Sequence, residues 1–184
     1  MYHPHQVAAS CAVIQAVNQF VSSGDAVNEN IIDVLIYIFE NYMGGDENMP
    51  HDQITLEEEL AQAGFPGDEI KKAFDWLDEL ARNQISMNQN PVNTTSMRMF
   101  TPEELQKFDL ESRGLLLTLE QNGLLDKTTR ELVIERTMAL DEEHLTSEDV
   151  RWVVLLVLMN QPGKESAFAQ LEDMIYNNSA ELLH

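Results

Sequence analysis

Basic residues are the scarcest polar class in this chain of 184 residues: 11 Lys and Arg stand against 32 Asp and Glu, for a formal charge of −21. The scarcity is even, with 13 acids against 3 bases over residues 31–84 and 17 against 7 over residues 101–184. A duplex takes clustered cations to bind, and neither half supplies them. A basic partner would instead be attracted and steered. Cysteine occurs once, at Cys11, which excludes an internal disulfide, fits a reducing compartment and reads as a small apolar residue. Long apolar runs are missing as well. The longest, residues 152–159, falls far short of the ~20 residues that a spanning helix needs. The apolar residues 7–21 have no Lys or Arg before them, so no secretory signal is expected and the cytoplasm is the expected compartment.

The motifs of known chemistries are absent too. His3, His5, His51, His144 and His184 are scattered without metal-ligand spacing. The histidine third from the amino terminus could chelate copper or nickel with a free amine, but reads as chance. The stretches after Asp46 and Asp141 lack the glycine and terminal glutamate of a calcium loop. Gly44-Gly45 is not followed by the Lys-Ser/Thr of a phosphate loop, and no Gly-x-Ser-x-Gly elbow occurs. No catalytic, cofactor-binding or metal-binding residue is assigned, and no cofactor is expected.

What is present is helical periodicity. At 43% hydrophobic residues the chain can build a core. Residues 7–21 suit a short helix ended by Ser22-Ser23-Gly24, and 24–30 reads as a linker. Asn30 is a good N-cap for a helix that is apolar nearly all round to Tyr42, with Gly44-Gly45 as its stop. Helices over 52–63 and 66–82, joined by Ala63-Gly64-Phe65, form a helix–turn–helix-like step. The second carries an apolar stripe of Ile70, Ala73, Phe74, Leu77, Leu80 and Ala81, with Trp76 at its edge, packed on a neighbouring element or, as the alternative, partly exposed as an anchor for a partner. Asn and Gln over 84–100 read as a polar loop, with a short extended piece at 96–100. Thr101-Pro102-Glu103-Glu104 and Thr146-Ser147-Glu148-Asp149 are helix starts. Helices follow over 109–122, 127–140, 146–160 and 164–176. The reading is an all-α compact bundle, with residues 1–30 as an extension and 31–184 as the domain, its lobes 31–84 and 101–184 joined by the polar loop.

Three charges fall on apolar arcs. On a helical wheel Arg136 sits among Leu132, Val133, Ala139 and Leu140, while Glu120 and Arg113 sit among Leu115, Leu116, Leu117 and Leu119. A core-facing charge must be paired. Consecutive helices joined by a short turn pack antiparallel, so a structural ion pair of Arg136 with Glu120, Arg113 nearby, is expected.

The chain also resembles a known family. Ile32-Asp33-Val34-Leu35, Ser96-Met97-Arg98, Thr101-Pro102-Glu103-Glu104, Arg113-Gly114-Leu115 and Thr129-Arg130-Glu131 follow the pattern of the bacterial Smg proteins. So do Val133-Ile134-Glu135-Arg136, Ala139-Leu140-Asp141, Asn160-x-Pro162-Gly163 and Leu183-His184. The resemblance covers residues 31–184 and leaves out the first 30. It implies a bacterial cytoplasmic protein of unassigned molecular function with no catalytic residues to transfer. It also implies a gene often found beside that of a DNA-processing protein that loads recombinase onto single strands.

The functional expectation is a non-enzymatic protein-binding or regulatory module that meets a basic partner, a DNA-processing protein by the resemblance. Glu57, Glu58, Glu59, Asp141, Glu142 and Glu143 would steer the encounter and Trp76 would anchor it. The alternative is helix–turn–helix-type nucleic-acid binding through Arg98, Lys107, Arg113, Lys127 and Arg130. The helix over 68–82 argues against it, with five acids to three bases. A third reading, an enzyme with an unfamiliar site, requires a pocket with convergent titratable groups.

Overall fold

The computed structural model describes residues 30–43, 53–89 and 98–181; the helix expected over 7–21, Cys11, the Gly44-Gly45 stop and residues 90–97 of the polar loop lie outside them. Asn30 opens α1 (Ile31–Ile38) with a reciprocal cap. Its side chain accepts from the Asp33 amide at 3.1 Å, and its own amide donates to the Asp33 carboxylate at 3.1 Å. The first-turn amides, which have no partner within the helix, are thereby satisfied. Ile31, Ile32, Val34, Leu35 and Ile38 are all buried. Beyond Ile38 the expected α-helix widens into a π-helical stretch, Phe39–Met43, which re-aims the side chains that follow. Phe39 stays in the core with its ring 5.7 Å from that of Trp152, and the Tyr42 hydroxyl donates to Glu59 at 2.6 Å.

Helices α2 (Gln53–Ala63) and α3 (Gly67–Gln89) form the expected tight step. Gly64 takes φ +111°, and the Phe65 amide returns to the Leu60 carbonyl at 3.2 Å, closing α2 in a left-handed cap. Ile70, Ala73, Trp76 and Leu80 of α3 are buried. The helix also runs further than its composition suggested, because residues 84–89, read as loop, are helical. Asn and Gln weaken a helix by only roughly half a kcal/mol per residue. The first true breaker after Gly67 is Pro91.

The second half comprises α4 (Pro102–Lys107), α5 (Leu110–Gln121), α6 (Lys127–Met138), α7 (Ser147–Met159) and α8 (Glu165–Glu181). Thr101 with Glu104, and Thr146 with Asp149, form the capping boxes that the sequence announced. α7 is the axis of the bundle: residues 152–158 are all buried, and α1, α5, α6 and α8 pack around it. α3 bridges α1 and α6, and one continuous buried cluster draws on every described helix except α4. α8 outruns its expected end at residue 176, since no glycine or proline interrupts it. The all-α class holds, with eight α-helices and no strand among the described residues. Residues 98–100 are irregular, and the one β-type pairing described is an isolated bridge of Phe108 with Leu145.

Candidate functional site

Arg136 lies on the buried face of α6, 3% exposed, but its partners differ from those expected. Its Nη1 donates to Glu79 of α3 at 2.8 Å and its Nη2 to Glu135 at 3.0 Å. Glu120 instead accepts from Arg130 at 2.5 Å, and Arg113 donates to the Asp109 carbonyl at 3.1 Å. The correction is geometric. α5 and α6 form a hairpin about residues 122–126, so side chains near the turn on one helix meet those near it on the other. Glu120 lies two residues before the turn and Arg130 four after it, a difference that the long guanidinium spans. Arg136 lies six residues further along α6, ~9 Å at 1.5 Å per residue.

Trp76 packs on a neighbouring helix, the first of its two readings, and is corrected as a partner anchor. It is 4% exposed, and its indole donates to the Arg136 carbonyl at 2.9 Å. The last carbonyls of a helix lack intrahelical partners and carry partial negative charge. Trp76 takes one at the end of α6. Lys107 takes the carbonyls of Met138, at 3.2 Å, and Leu140. Burial pulls the Lys107 ammonium below its ordinary range.

A second network ties the start of α4 to the α5–α6 hairpin. Arg98 reaches both Glu104 oxygens at 2.6 and 2.8 Å and Glu131 at 2.8 Å, while Arg130 joins Glu131 at 2.7 Å to Glu120. The Arg98 guanidinium holds the Glu104 carboxyl below its usual range against the opposing effect of burial, and the Thr101 amide adds to it. Sequence reasoning missed this network, although one signal was available. Glu104 is the third residue of a capping box, so its carboxylate is fixed beside whatever precedes Thr101. Of the other cations, Lys72 pairs with Glu69 and Asp141 at 3.0 and 3.1 Å and Lys164 with Asp126 at 2.7 Å. Arg98, Lys107, Arg113 and Arg130 are thus each engaged by their own chain, and Lys127 also has an interaction within it.

The acidic side chains singled out lie on two segments. Glu57, Glu58 and Glu59 are exposed on α2, with Glu59 held by Tyr42. Asp141 and Glu143 are exposed between α6 and α7. Glu142 is half-buried, with one oxygen shielded from water and unpaired, and burial raises its carboxyl above the ordinary range. His144 is exposed, and the other four histidines lie outside the described residues. No group of three or more His, Cys, Asp or Glu able to hold a metal occurs among the described residues. An open cleft of about 310 Å³ where α7 turns into α8 is lined by Leu158, Met159, Gln161 and Phe168, with Glu165 as its titratable group. A single carboxylate is not the convergent set that a reaction needs. No helix among the described residues is long and apolar enough to cross a membrane.

Comparison with known proteins gives a concordant result. The family described as a protein of unknown function, DUF494, matches residues 31–184. Relatives named Protein Smg homolog include that of Thioalkalivibrio sulfidiphilus, 44% identical over 158 residues, and that of Nitrosococcus oceani, 48% identical over 159. That of Stenotrophomonas maltophilia is 48% identical over 158. Each alignment spans 86% of this chain and the whole of the relative. No solved structure matches. With every described helix matched by the family model and by full-length relatives alike, the chain belongs to the DUF494 family of Smg homologues.

Proposed function

We propose that the chain is a non-enzymatic protein-binding or regulatory module of the bacterial cytoplasm, whose acidic exterior receives a basic protein. The observation that supports this reading is the fate of the cations. Lys72, Arg98, Lys107, Arg130, Arg136 and Lys164 all bind carboxylates or helix-end carbonyls of their own chain. These cations are engaged within the chain, Arg136 in the core and Lys72 at the surface, and the acids outnumber the cations by 32 to 11. Such an excess accelerates encounter with a basic partner and repels nucleic acid, with an effect that weakens as salt rises. Trp76, being buried, takes no part. Glu57, Glu58 and Glu143 are the outward acids best placed for first contact. By the family resemblance the partner is a DNA-processing protein.

Affinity purification of the tagged chain from its native cytoplasm, at low and high salt and with nuclease in parallel, tests this. A basic protein should survive nuclease, fall away with salt and bind at least ~10-fold more slowly to Glu57→Lys/Glu58→Lys/Glu59→Lys. Recovery of nucleic acid alone, or of proteins lost on nuclease treatment, would overturn the proposal in favour of direct nucleic-acid binding.

A further inference from the structure

The Asn160-x-Pro162-Gly163 motif makes the turn from α7 to α8, and the turn makes a cleft. The Asn160 side chain donates to the Leu156 carbonyl at 2.9 Å, and Gly163 takes φ +84°, a conformation that favours glycine. Gln161 is held from outside the turn, its side-chain oxygen accepting from Thr129 of α6 at 2.9 Å. Lys164 is held likewise by Asp126 at 2.7 Å. The resulting cleft, about 310 Å³, is walled by Leu158, Met159, Pro162 and Phe168. Phe168 rests on the core, its ring 6.1 Å from that of Phe39. A cleft this small and open lies at the low end for small-molecule sites, which enclose most of their ligand. It suits instead an apolar side chain of a larger partner. Walls already fixed by these contacts need little ordering when that side chain enters.

Charge determines what else that partner carries. Glu165 stands exposed at the lip of the cleft. Its own amide and that of Gly163, at 3.0 Å, hold its carboxyl below the ordinary range. The neighbouring cation, Lys164, is turned away to Asp126, and no cation among the described residues pairs with Glu165. Glu165, Phe168 and Glu172 follow the i, i+3, i+7 spacing of one face of α8. Glu172 is half-buried without a hydrogen bond or ion pair among the described residues, and burial raises its carboxyl. A partly desolvated carboxylate without a partner is stabilised by an incoming cation. α8 supplies none, since Glu165–Glu181 contains no Lys or Arg. The two carboxylates are spaced by seven helical residues, ~10 Å along the axis.

We propose that this cleft and the face of α8 bearing Glu165, Phe168 and Glu172 dock a basic segment of a partner protein. An apolar side chain of the segment enters against Leu158, Met159 and Phe168, and a cation meets each carboxylate. In an extended segment residues i and i+3 lie ~10 Å apart, so the matching pattern is two cations separated by two residues, at least one of them apolar. The site rests on the reading of a basic partner and narrows it to one place. Glu57, Glu58 and Glu143 act at a distance during the encounter, whereas Glu165 and Glu172 act in contact.

Two synthetic peptides of equal charge test the site, one containing Lys-Leu-Leu-Lys and the other Lys-Gly-Gly-Lys. Each is titrated at low salt into the isotope-labelled full chain and followed by NMR. The leucine peptide should shift the Met159 methyl and the Gly163, Glu165 and Phe168 amides to saturation. It should bind at least ~10-fold more tightly than the glycine peptide, the effect of burying one leucine side chain. Glu165→Gln/Glu172→Gln should weaken it ~5-fold or more while the thermal midpoint shows that the bundle is intact. Three results would overturn the site yet leave the acidic exterior as the target of a basic partner: equal binding of the two peptides, shifts confined to the acids of α2, or undiminished binding by the double variant. Absence of binding by either peptide would overturn the site and the basic-partner reading together.

Discussion

Replacing Arg136 with methionine separates two contributions of one side chain. Arg136 fills volume between α3 and α6, and its guanidinium lies 6.0 Å from the centre of the Trp76 ring. It also carries a charge into the core, where Nη1 and Nη2 reach Glu79 and Glu135 but Nε has no partner. The side chains of Glu79 and Glu135 are 56% and 46% exposed, so both carboxylates can return to water at little cost. An unpaired buried donor costs about 1–3 kcal/mol, and desolvation cancels much of what a buried ion pair gains. Arg136→Met keeps most of the volume and removes that cost, and is expected to lie between neutral and about 2 kcal/mol more stable. Arg136→Ala leaves a cavity and should cost about 2–5 kcal/mol. Glu79→Gln leaves the buried charge with Glu135 alone and should cost about 1–2 kcal/mol, the low end for a broken buried pair because one carboxylate remains. Urea unfolding monitored by helical circular dichroism reads all three. In a chain of this size 1 kcal/mol corresponds to about 2–4 °C in melting temperature. If Arg136→Met proves as damaging as Arg136→Ala, the ion pair rather than the packing stabilises the fold and the reasoning fails.

Acidification should act in two directions. Burial raises the carboxyls of Asp33, Glu40, Glu142 and Glu172, so their charge at neutral pH detracts from stability that returns as pH falls through their folded values. Glu104, lowered by Arg98, and Asp109, lowered by the Ser112 amide, contribute stability above the ordinary carboxylate range and lose it below. Urea midpoints should therefore rise from neutral to mildly acidic pH and fall below the carboxylate range; a steady fall from neutral would contradict the assignment. Gly114→Ala, in mid-helix with open space around its Cβ, should stabilise by about 0.5–1 kcal/mol. Gly123→Ala, at φ +75° in the α5–α6 turn, should destabilise by about 1–2 kcal/mol. Equal effects in thermal melts would refute the distinction.

The helix starts were legible because each is a local code: Asn30, Thr101 and Thr146 cap through the residues that follow them, and no tertiary contact is needed to read that. Helix ends were less legible. α3 passes through Asn83 and Asn88, and α8 through Asn177 and Asn178, because weak propensity yields to the context of a long helix when no proline or glycine intervenes. The wheel placed Arg136 in the core but could not name Glu79, which lies 57 residues away on a helix that only the tertiary fold brings near. The Glu120 pairing was different: the short turn already in the sequence places Glu120 beside the start of α6, where Arg130 is the nearest arginine, and far from Arg136. Trp76 shows the limit of a single wheel, since a stripe's edge becomes interior once a second helix packs across it.

The pairing of cations within the chain and the surplus of acids lead to one further expectation, in which salt acts with opposite signs on folding and on binding. The chain folds against its own net charge of −21. Like charges on the exterior repel across distances that salt shortens, the screening length being about 30 Å at 0.01 M and about 10 Å at 0.1 M. The internal pairs of Arg98 and Arg136 are largely shielded, with side chains 17% and 4% exposed, and feel that screening less. Raising salt over this range should therefore raise the melting temperature, because the repulsion it removes is long-ranged and the attraction acts between groups in contact whose guanidiniums are shielded. The same salt should weaken the encounter with a basic partner. A melting temperature that falls with added salt would mean that exposed attractive pairs, such as Lys72 with Asp141, outweigh the surface repulsion. The acid surplus would then be a counterweight to the cations rather than a surface left over for a partner.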